Sequence, residues 1–376
     1  MKFRVKSQDL QKSINIVEKA VSPRSSLPVL ENIFIETKEG QLKLRGNDLE
    51  IGIENTIPLE NIEEEGSILI KAKTISSIVS KLDNQALDIH VSDSNTFFLK
   101  GQKVDFDILG TASGEYPTFP SIEQGVQLSL SVEDLKDLIK HTIFSVSFDE
   151  TKQFLNGILV KNEGDKLSFV STDGYRLAFK TKTIQPLDRD LSVIIPYKAV
   201  NELNRIIQNE ENDSVVNVNI SENQIAFKMN SFLLISRVIQ GQFPDYKQVI
   251  PQQSQSEYVV SRRALLAAAE RASIIASSSN NVVRLSFEHS TLTIKANAPG
   301  LGEFKEEIEL NRTKGEGETK IAFNIRLVLD VIKTVDVDNI KMMFNNELSP
   351  CRVEENDNDD FIYIIMPIRT SDYQNE

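Results

Sequence analysis

The side chains that could do chemistry in this sequence are few. Its three histidines, His90, His141 and His289, lack metal-ligand spacing and fall in strand or helix patterns, where a packed or surface histidine is the ordinary meaning. The single cysteine, Cys351, excludes an internal disulfide and a thiolate cage, and points to a reducing compartment. Asp105 and Asp107 flank Phe106, a spacing that two-metal carboxylates can use and that the wet face of a strand also produces. Asp357, Asp359 and Asp360 lack the glycine and distal glutamate of a calcium loop, which leaves a solvated hairpin tip. Ser171-Thr172-Asp173-Gly174 is a good turn that could offer amides to phosphate, as many plain turns could. The phosphate loop GxxxxGK[ST], HExxH, GxSxG and GxGxxG are all absent. The expectation is a non-enzyme without catalytic residues, metal or cofactor. A nucleic-acid or nucleotide-processing enzyme built on Asp105, Asp107 or Asp173 is the alternative.

The chain has 376 residues, enough for two to four domains, and an ordinary soluble composition of 40% hydrophobic and 26% charged residues. No run approaches 18 apolar residues, and the start MKFRVKSQDL lacks the apolar core of a secretory signal. A cytoplasmic protein without a membrane partner is expected. With 42 Lys+Arg against 55 Asp+Glu the net charge is −13, which at first sight argues against nucleic acid.

Internal repetition organises these residues. Phe3-Arg4-Val5 leading to Leu10 recurs as Leu128-Ser129-Leu130 leading to Leu135, and as Tyr258-Val259-Val260 leading to Leu265. A hairpin follows each time: Ile33, Ile35, Leu42 and Leu44, then Ile158, Val160, Leu167 and Phe169 at an offset of 125, then Leu292 and Ile294 another 125 on. The turns Asn47-Asp48, Thr172-Asp173 and Asn297-Ala298 keep the same offset. Second helical runs begin near Lys73, Lys198 and Ile325, so each unit is itself doubled. Period-two strands such as Ile89-His90-Val91 and Val216 to Ile220 lie between the helices. The expected fold is α+β: three similar domains, 1–125, 126–253 and 254–376, each with two helices on antiparallel sheet.

Charge divides by element. The six helical runs hold 13 Lys+Arg against 9 Asp+Glu, a net +4, and the remainder holds 29 against 46, a net −17. Segregation of this kind restores a polyanion as a partner, although helix propensity and the macrodipole favour the same placement.

Several motifs together resemble one family across the whole length. They are Leu27-Pro28-Val29-Leu30 after Arg24, Phe154-Leu155-Asn156-Gly157, Ser171 through Leu177, Gly241-Gln242-Phe243-Pro244-Asp245-Tyr246 and Met366-Pro367-Ile368-Arg369. The chain is similar to the bacterial DNA polymerase sliding clamps, the β subunits of the polymerase III holoenzyme. The resemblance implies a head-to-tail homodimer, a ring of six domains with twelve helices around its hole. It also implies a processivity factor that encircles duplex DNA and tethers replicative and repair polymerases, opened by a separate loader ATPase. A repeat scaffold that binds only peptides is a further alternative.

The resemblance also assigns residues. Lys12, Lys73, Lys81, Lys136, Lys198 and Arg205 become candidates to face duplex phosphates without reading sequence; Arg24, Gln153 and Phe154 match positions that touch tilted DNA. A partner groove would be lined by Leu155, Thr172, Gly174, Tyr175, Arg176, Leu177, Pro244, Val249, Asn324, Leu348, Ile364, Met366, Pro367 and Arg369. It would take short apolar peptide motifs of the polymerase III catalytic subunit, the clamp loader, other polymerases and repair factors. Phe106 and Ile108 would meet Ile274 and Ile275 at the dimer interface. Ser371 to Glu376 extends past the family's usual end.

Overall fold

The computed structural model describes residues 1–22, 25–122, 124–229, 231–355 and 358–369. Among the described residues, six α-helices carry the doubled pattern: α1 (Ser7–Val17), α2 (Ala72–Val79), α3 (Val132–Lys140), α4 (Tyr197–Ile207), α5 (Arg262–Ala276) and α6 (Ile325–Thr334). Each follows a strand directly, and each buries one stripe. In α1 the stripe is Leu10, Ile14 and Val17; in α6 it is Val328, Val331 and Ile332, the three-to-four spacing of one helical face. Helix α5 buries Leu265, Ala268, Ala269, Ala272 and Ala276, and its small side chains let it pack on both α6 and the sheet. Asn324 caps α6 by accepting from the Arg326 amide at 3.0 Å.

The chain forms two compact units. One comprises Met1–Glu133 with Lys198–Val238, the other Asp134–Tyr197 with Ile239–Glu376. Among the described residues the first unit holds a five-stranded and an eight-stranded sheet and the second a twelve-stranded sheet, with every described pairing antiparallel. Strand Lys2–Lys6 alternates exposed and buried residues, the one-face-wet pattern of an antiparallel sheet. The expected hairpins are present as Asn32–Lys38 with Gln41–Asn47, Gly157–Glu163 with Lys166–Thr172, and Val282–Glu288 with Thr291–Ala298.

Both large sheets join one repeat to the next through a strand pair. In the first unit, Ile51–Pro58 pairs with Phe232–Arg237, with Ile51 opposite Ser236. In the second, Arg176–Thr183 pairs with Asn358–Ile365, with Arg176 opposite Ile365. Two edges have no such partner among the described strands. They are Asp105–Leu109, at the end of the five-stranded sheet, and one side of residues 302–309 in strand Gly302–Lys314.

Candidate functional site

In the second unit the residues of the expected groove gather around one tight turn. Asp173 Oδ1 accepts from the Tyr175 amide at 2.9 Å and the Arg176 amide at 3.0 Å. Gly174 between them sits at φ +90°, a conformation that costs glycine nothing. Thr172 Oγ1 adds a bond from the Gly174 amide at 3.1 Å. The turn therefore holds Tyr175 out, 69% exposed, while the next residues enter the sheet. The equivalent turn in the first unit uses Asp48 on the Glu50 and Ile51 amides, and there Leu49 takes the positive φ, +74°. A non-glycine residue in that region costs about 1 kcal/mol.

From this turn the chain meets its C-terminal strand. Leu177 lies opposite Ile364, Arg176 opposite Ile365, and the Met366 amide donates to the Tyr175 carbonyl at 2.9 Å. Leu177 and Ile364 belong to a buried cluster with Leu159, Val170, Ile194, Tyr246 and Ile250, edged by the partly buried Phe154 and Phe243. Leu155, Leu177 and Ile364 are buried floor or core, and cannot be reached without displacing their neighbours. The accessible residues of the expected groove are Gly174, Tyr175, Pro244, Val249, Leu348 and Arg369; Thr172, Asn324, Met366 and Pro367 are half-buried. Val249 and Leu348 are 41% and 59% exposed, which leaves apolar surface uncovered.

Arg176 differs from a free rim cation. Its Nε reaches Asp173 Oδ2 at 3.0 Å, its Nη1 pairs with Asp330 on α6, and its guanidinium lies 5.6 Å from the Phe144 ring centre. Burial opposes its charge, but Tyr363 and the two carboxylates hold its pKa above the ordinary value. It works as an internal brace. Sequence reasoning missed Asp330, Tyr363 and Tyr246 here. Tyr246 sits in a quoted motif and was recoverable; Asp330 lies 154 positions from Arg176 and was not.

The expected phosphate-facing cations are dispersed over α1 to α4, except Lys81, which lies in the turn after α2. Lys12, Lys73 and Lys81 are exposed and, among the described residues, have no ion pair. Lys136 is half-buried. Lys198 is exposed but pairs with Asp48, and Arg205 with Glu202 at 3.1 Å, so these two positive charges are locally offset. Gln153 is exposed, whereas Phe154 packs against the buried cluster. Arg24 lies outside the described residues. At the expected dimer edge, Phe106 is half-buried and Ile274 is 68% exposed, but Ile108 is buried in its own unit and Ile275, on α5, packs against the core. The exposed apolar side chain of that strand is Leu109, at 83%. Among the described residues no group of His, Cys, Asp and Glu could hold a metal ion, and no helix is long and apolar enough to cross a membrane.

A doubled helix-and-hairpin unit repeated three times, with repeats joined by edge-strand pairing, defines the DNA-clamp class of α+β protein. Comparison with known proteins gives the family. Models of the N-terminal, central and C-terminal domains of the DNA polymerase III beta subunit match residues 1–120, 129–245 and 247–369. The beta sliding clamp of Bacillus subtilis (strain 168) is 34% identical over 98% of this chain and 100% of its own length, and that of Staphylococcus aureus (strain Mu50) is 31% identical with the same coverage. A crystal structure of the DNA polymerase III subunit beta from Pseudomonas aeruginosa superposes with a TM-score of 0.93 at 29% identity, covering 98% of this chain and 100% of that one. The Bacillus subtilis sliding clamp structure gives 0.92 at 33% identity, covering 98% and 99%. The chain belongs to the DNA polymerase III beta subunit family. Its function is that of a DNA sliding clamp in replication.

Proposed function

We propose that two copies of this chain close head to tail into a ring around duplex DNA. The ring is a non-catalytic tether for the polymerase III catalytic subunit and for other polymerases and repair factors. The observation that carries this reading is the repeated junction. Strand Ile51–Pro58 accepts Phe232–Arg237, and Arg176–Thr183 accepts Asn358–Ile365. The third position in that series is residues 302–309, and the strand equivalent to Phe232–Arg237 and Asn358–Ile365 in the first repeat is Asp105–Leu109. Both are unpaired on that side. A second copy supplies what each lacks, a heterologous contact that closes after two chains if its geometry repeats the internal one.

The proposed domains are three similar ones per chain, 1–125, 126–253 and 254–376, a division that the strand series supports. The helices would present Lys12, Lys73, Lys136, Lys198 and Arg205 to phosphates, and the turn after α2 Lys81, with Arg24, Gln153 and Phe154 touching tilted DNA. Attraction of that kind is weak, salt-sensitive and indifferent to sequence, as sliding requires. The surface at Tyr175, Pro244, Val249, Leu348 and Met366 would take one apolar peptide at a time, its methionine adapting to different partners. A loader ATPase must open the ring, and the work is done in the cytoplasm. The test is to load the protein on circular duplex DNA and then linearise the circle. Release on linearisation is expected; retention would sink the topological reading.

A further inference from the structure

The first unit holds a cavity of about 110 Å³ that shares no residue with the groove or with the unpaired edges. Leu49, Pro120 and Ile235 are its apolar walls, Gln224 adds an amide, and Glu50 and Arg237 bring a charge of each sign. We infer that this cavity is a second peptide site. It takes a short segment with one aliphatic side chain between a basic and an acidic residue.

The first support is a leucine held in a costly conformation. Leu49 sits at φ +74° and is 44% exposed, so neither backbone preference nor core packing accounts for it. Asp48 accepts from the Glu50 and Ile51 amides just as Asp173 accepts from the Tyr175 and Arg176 amides. The second turn closes around Gly174 at φ +90°, so the bonds of the first do not require a leucine. What the leucine adds is an apolar wall of the cavity. Strained residues of this kind cluster at ligand clamps. The facing wall is set by a bare backbone: a Cβ at Gly52 would lie 3.0 Å from the Phe119 ring and 3.4 Å from Pro120.

The second support is a pair of unused charges. The Arg237 amide donates to the Glu50 carbonyl at 2.9 Å, which makes the two residues neighbours. Both side chains are exposed, and among the described residues neither has an ion pair, with the other or with a third group. The matching residues of the groove are Tyr175 and Met366, joined by the same amide-to-carbonyl bond. One backbone plan therefore carries two chemistries. Complementarity calls for an acid opposite Arg237 and a base opposite Glu50. Size fixes the side chain between them. A cavity of about 150 Å³ admits benzene, so this smaller one suits a branched aliphatic group and not an aromatic ring.

Fluorescence anisotropy with two labelled, amidated peptides, Gly-Lys-Leu-Glu-Gly and Gly-Glu-Leu-Lys-Gly, covers both chain directions. The full chain should bind one about five-fold more tightly than the other, and than the same sequence with Phe for Leu. Leu49→Gly should weaken that binding about five-fold while keeping a cooperative melt. Exchanging the charges, Glu50→Lys with Arg237→Glu, should invert the preferred direction. Saturating Ala-Leu-Ala-Leu-Phe should not displace the probe. Binding of neither peptide, unweakened binding by Leu49→Gly, or a preference that survives the charge exchange overturns the inference. Displacement by the apolar pentapeptide also overturns it, and places the probe in the groove at Tyr175. Labelled Ala-Leu-Ala-Leu-Phe, run in parallel, reports on the groove separately: if it fails to bind while the charged probe behaves as expected, the groove reading falls and the second site stands.

Discussion

His141 Nε2 lies 3.4 Å from Glu355 Oε1, an ion-pair contact that ties the end of helix α3 to strand Cys351–Glu355. The same ring places Nδ1 2.8 Å from Asp137 Oδ1 and turns its edge to Phe361, with centroids 4.8 Å apart. Lys180 Nζ reaches Asp137 at 3.5 Å and Glu355 at 3.6 Å, and Lys182 pairs with Asp137 and Asp134. The group is a network of alternating charge, buried at His141, Lys180 and Glu355 and half-buried at Asp137 and Lys182, so its parts depend on one another.

That network predicts a pH profile. Burial works against the His141 imidazolium, but the Asp137 and Glu355 carboxylates beside the ring outweigh it and raise the pKa above the ordinary histidine value. Stabilisation from a raised histidine is complete below its unfolded value of about 6.5 and is lost as pH climbs through the folded one. The carboxylates act oppositely. Asp137, despite burial, is pulled far below its usual range by His141 and Lys182, and Glu355 is lowered first by the neighbouring His141 ring. Their contribution is present above about pH 4 and fades as pH falls through the depressed folded values. Urea midpoints should fall on both sides of a weakly acidic optimum. His141→Ala should cost about 3 kcal/mol near pH 6 and abolish the decline on the alkaline side. A variant that keeps that decline would assign it to another group.

The internal junctions also fix a register for the contact between copies. Leu42, Leu167 and Leu292 are equivalent, and their partners across the hairpin are Ile57, Lys182 and Ile308. Counting back from these pairs sets Gly302 equivalent to Ile51 and Arg176. The same procedure from Val5, Leu130 and Val260 makes Ile108 equivalent to Ser236 and Ile365. Ile108 of one copy should therefore face Gly302 of the other, and Phe106 should face Phe304. Cysteines at Phe106 and Phe304 should give a covalent dimer on a non-reducing gel, since directly opposed residues lie within disulfide range. Cysteines at Phe106 and Glu303 should not, because a one-residue slip points the side chains to opposite faces. The native Cys351 is buried and will not compete.

At the groove, exposed and buried residues should separate cleanly. Tyr175 is 69% exposed, so Tyr175→Ala should leave the melting temperature unchanged and weaken peptide binding by about 1–2 kcal/mol. Ile364→Ala, at a buried position paired with Leu177, should instead destabilise the fold by about 2–5 kcal/mol. Calorimetry with a Leu-Phe peptide and thermal melts distinguish the two. Unimpaired binding by Tyr175→Ala would put the peptide elsewhere.

How much of this was legible beforehand differs by level. The six helices and three hairpins were readable because their apolar spacing repeats at offsets of 125 to 130, and coincidences kept in order reinforce one another. Side-chain roles were not readable to the same depth. Ile108 and Leu109 are adjacent, apolar and on one strand, and only the strand's orientation shows that the first is buried and the second exposed. His141 looked isolated because Glu355 lies 214 positions away. Arg176 looked like a rim cation until Asp173 and Asp330 were seen on either side of it. Local pattern determines elements, whereas charge partners come from tertiary contacts that spacing does not encode.

That distinction carries into DNA binding. A lysine already neutralised by a carboxylate displaces fewer counterions from DNA than a free one, so equal charge deletions should differ in their salt signature. Lys12, Lys73 and Lys81 have no ion pair among the described residues, while Lys198 and Arg205 are matched to Asp48 and Glu202. Affinity for a short duplex, measured from 20 to about 150 mM salt, should fall with a log–log slope near −0.9 per phosphate contact. Changing Lys12 and Lys73 together to Gln should flatten that slope by up to about 2. The double change of Lys198 and Arg205 to Gln should flatten it less, because Asp48 and Glu202 are then left unneutralised and repel the backbone directly. Base composition of the duplex should change neither slope, since no contact of this kind reads a base edge. An identical effect from both double variants would mean that the ion pairs to Asp48 and Glu202 do not persist when DNA is bound.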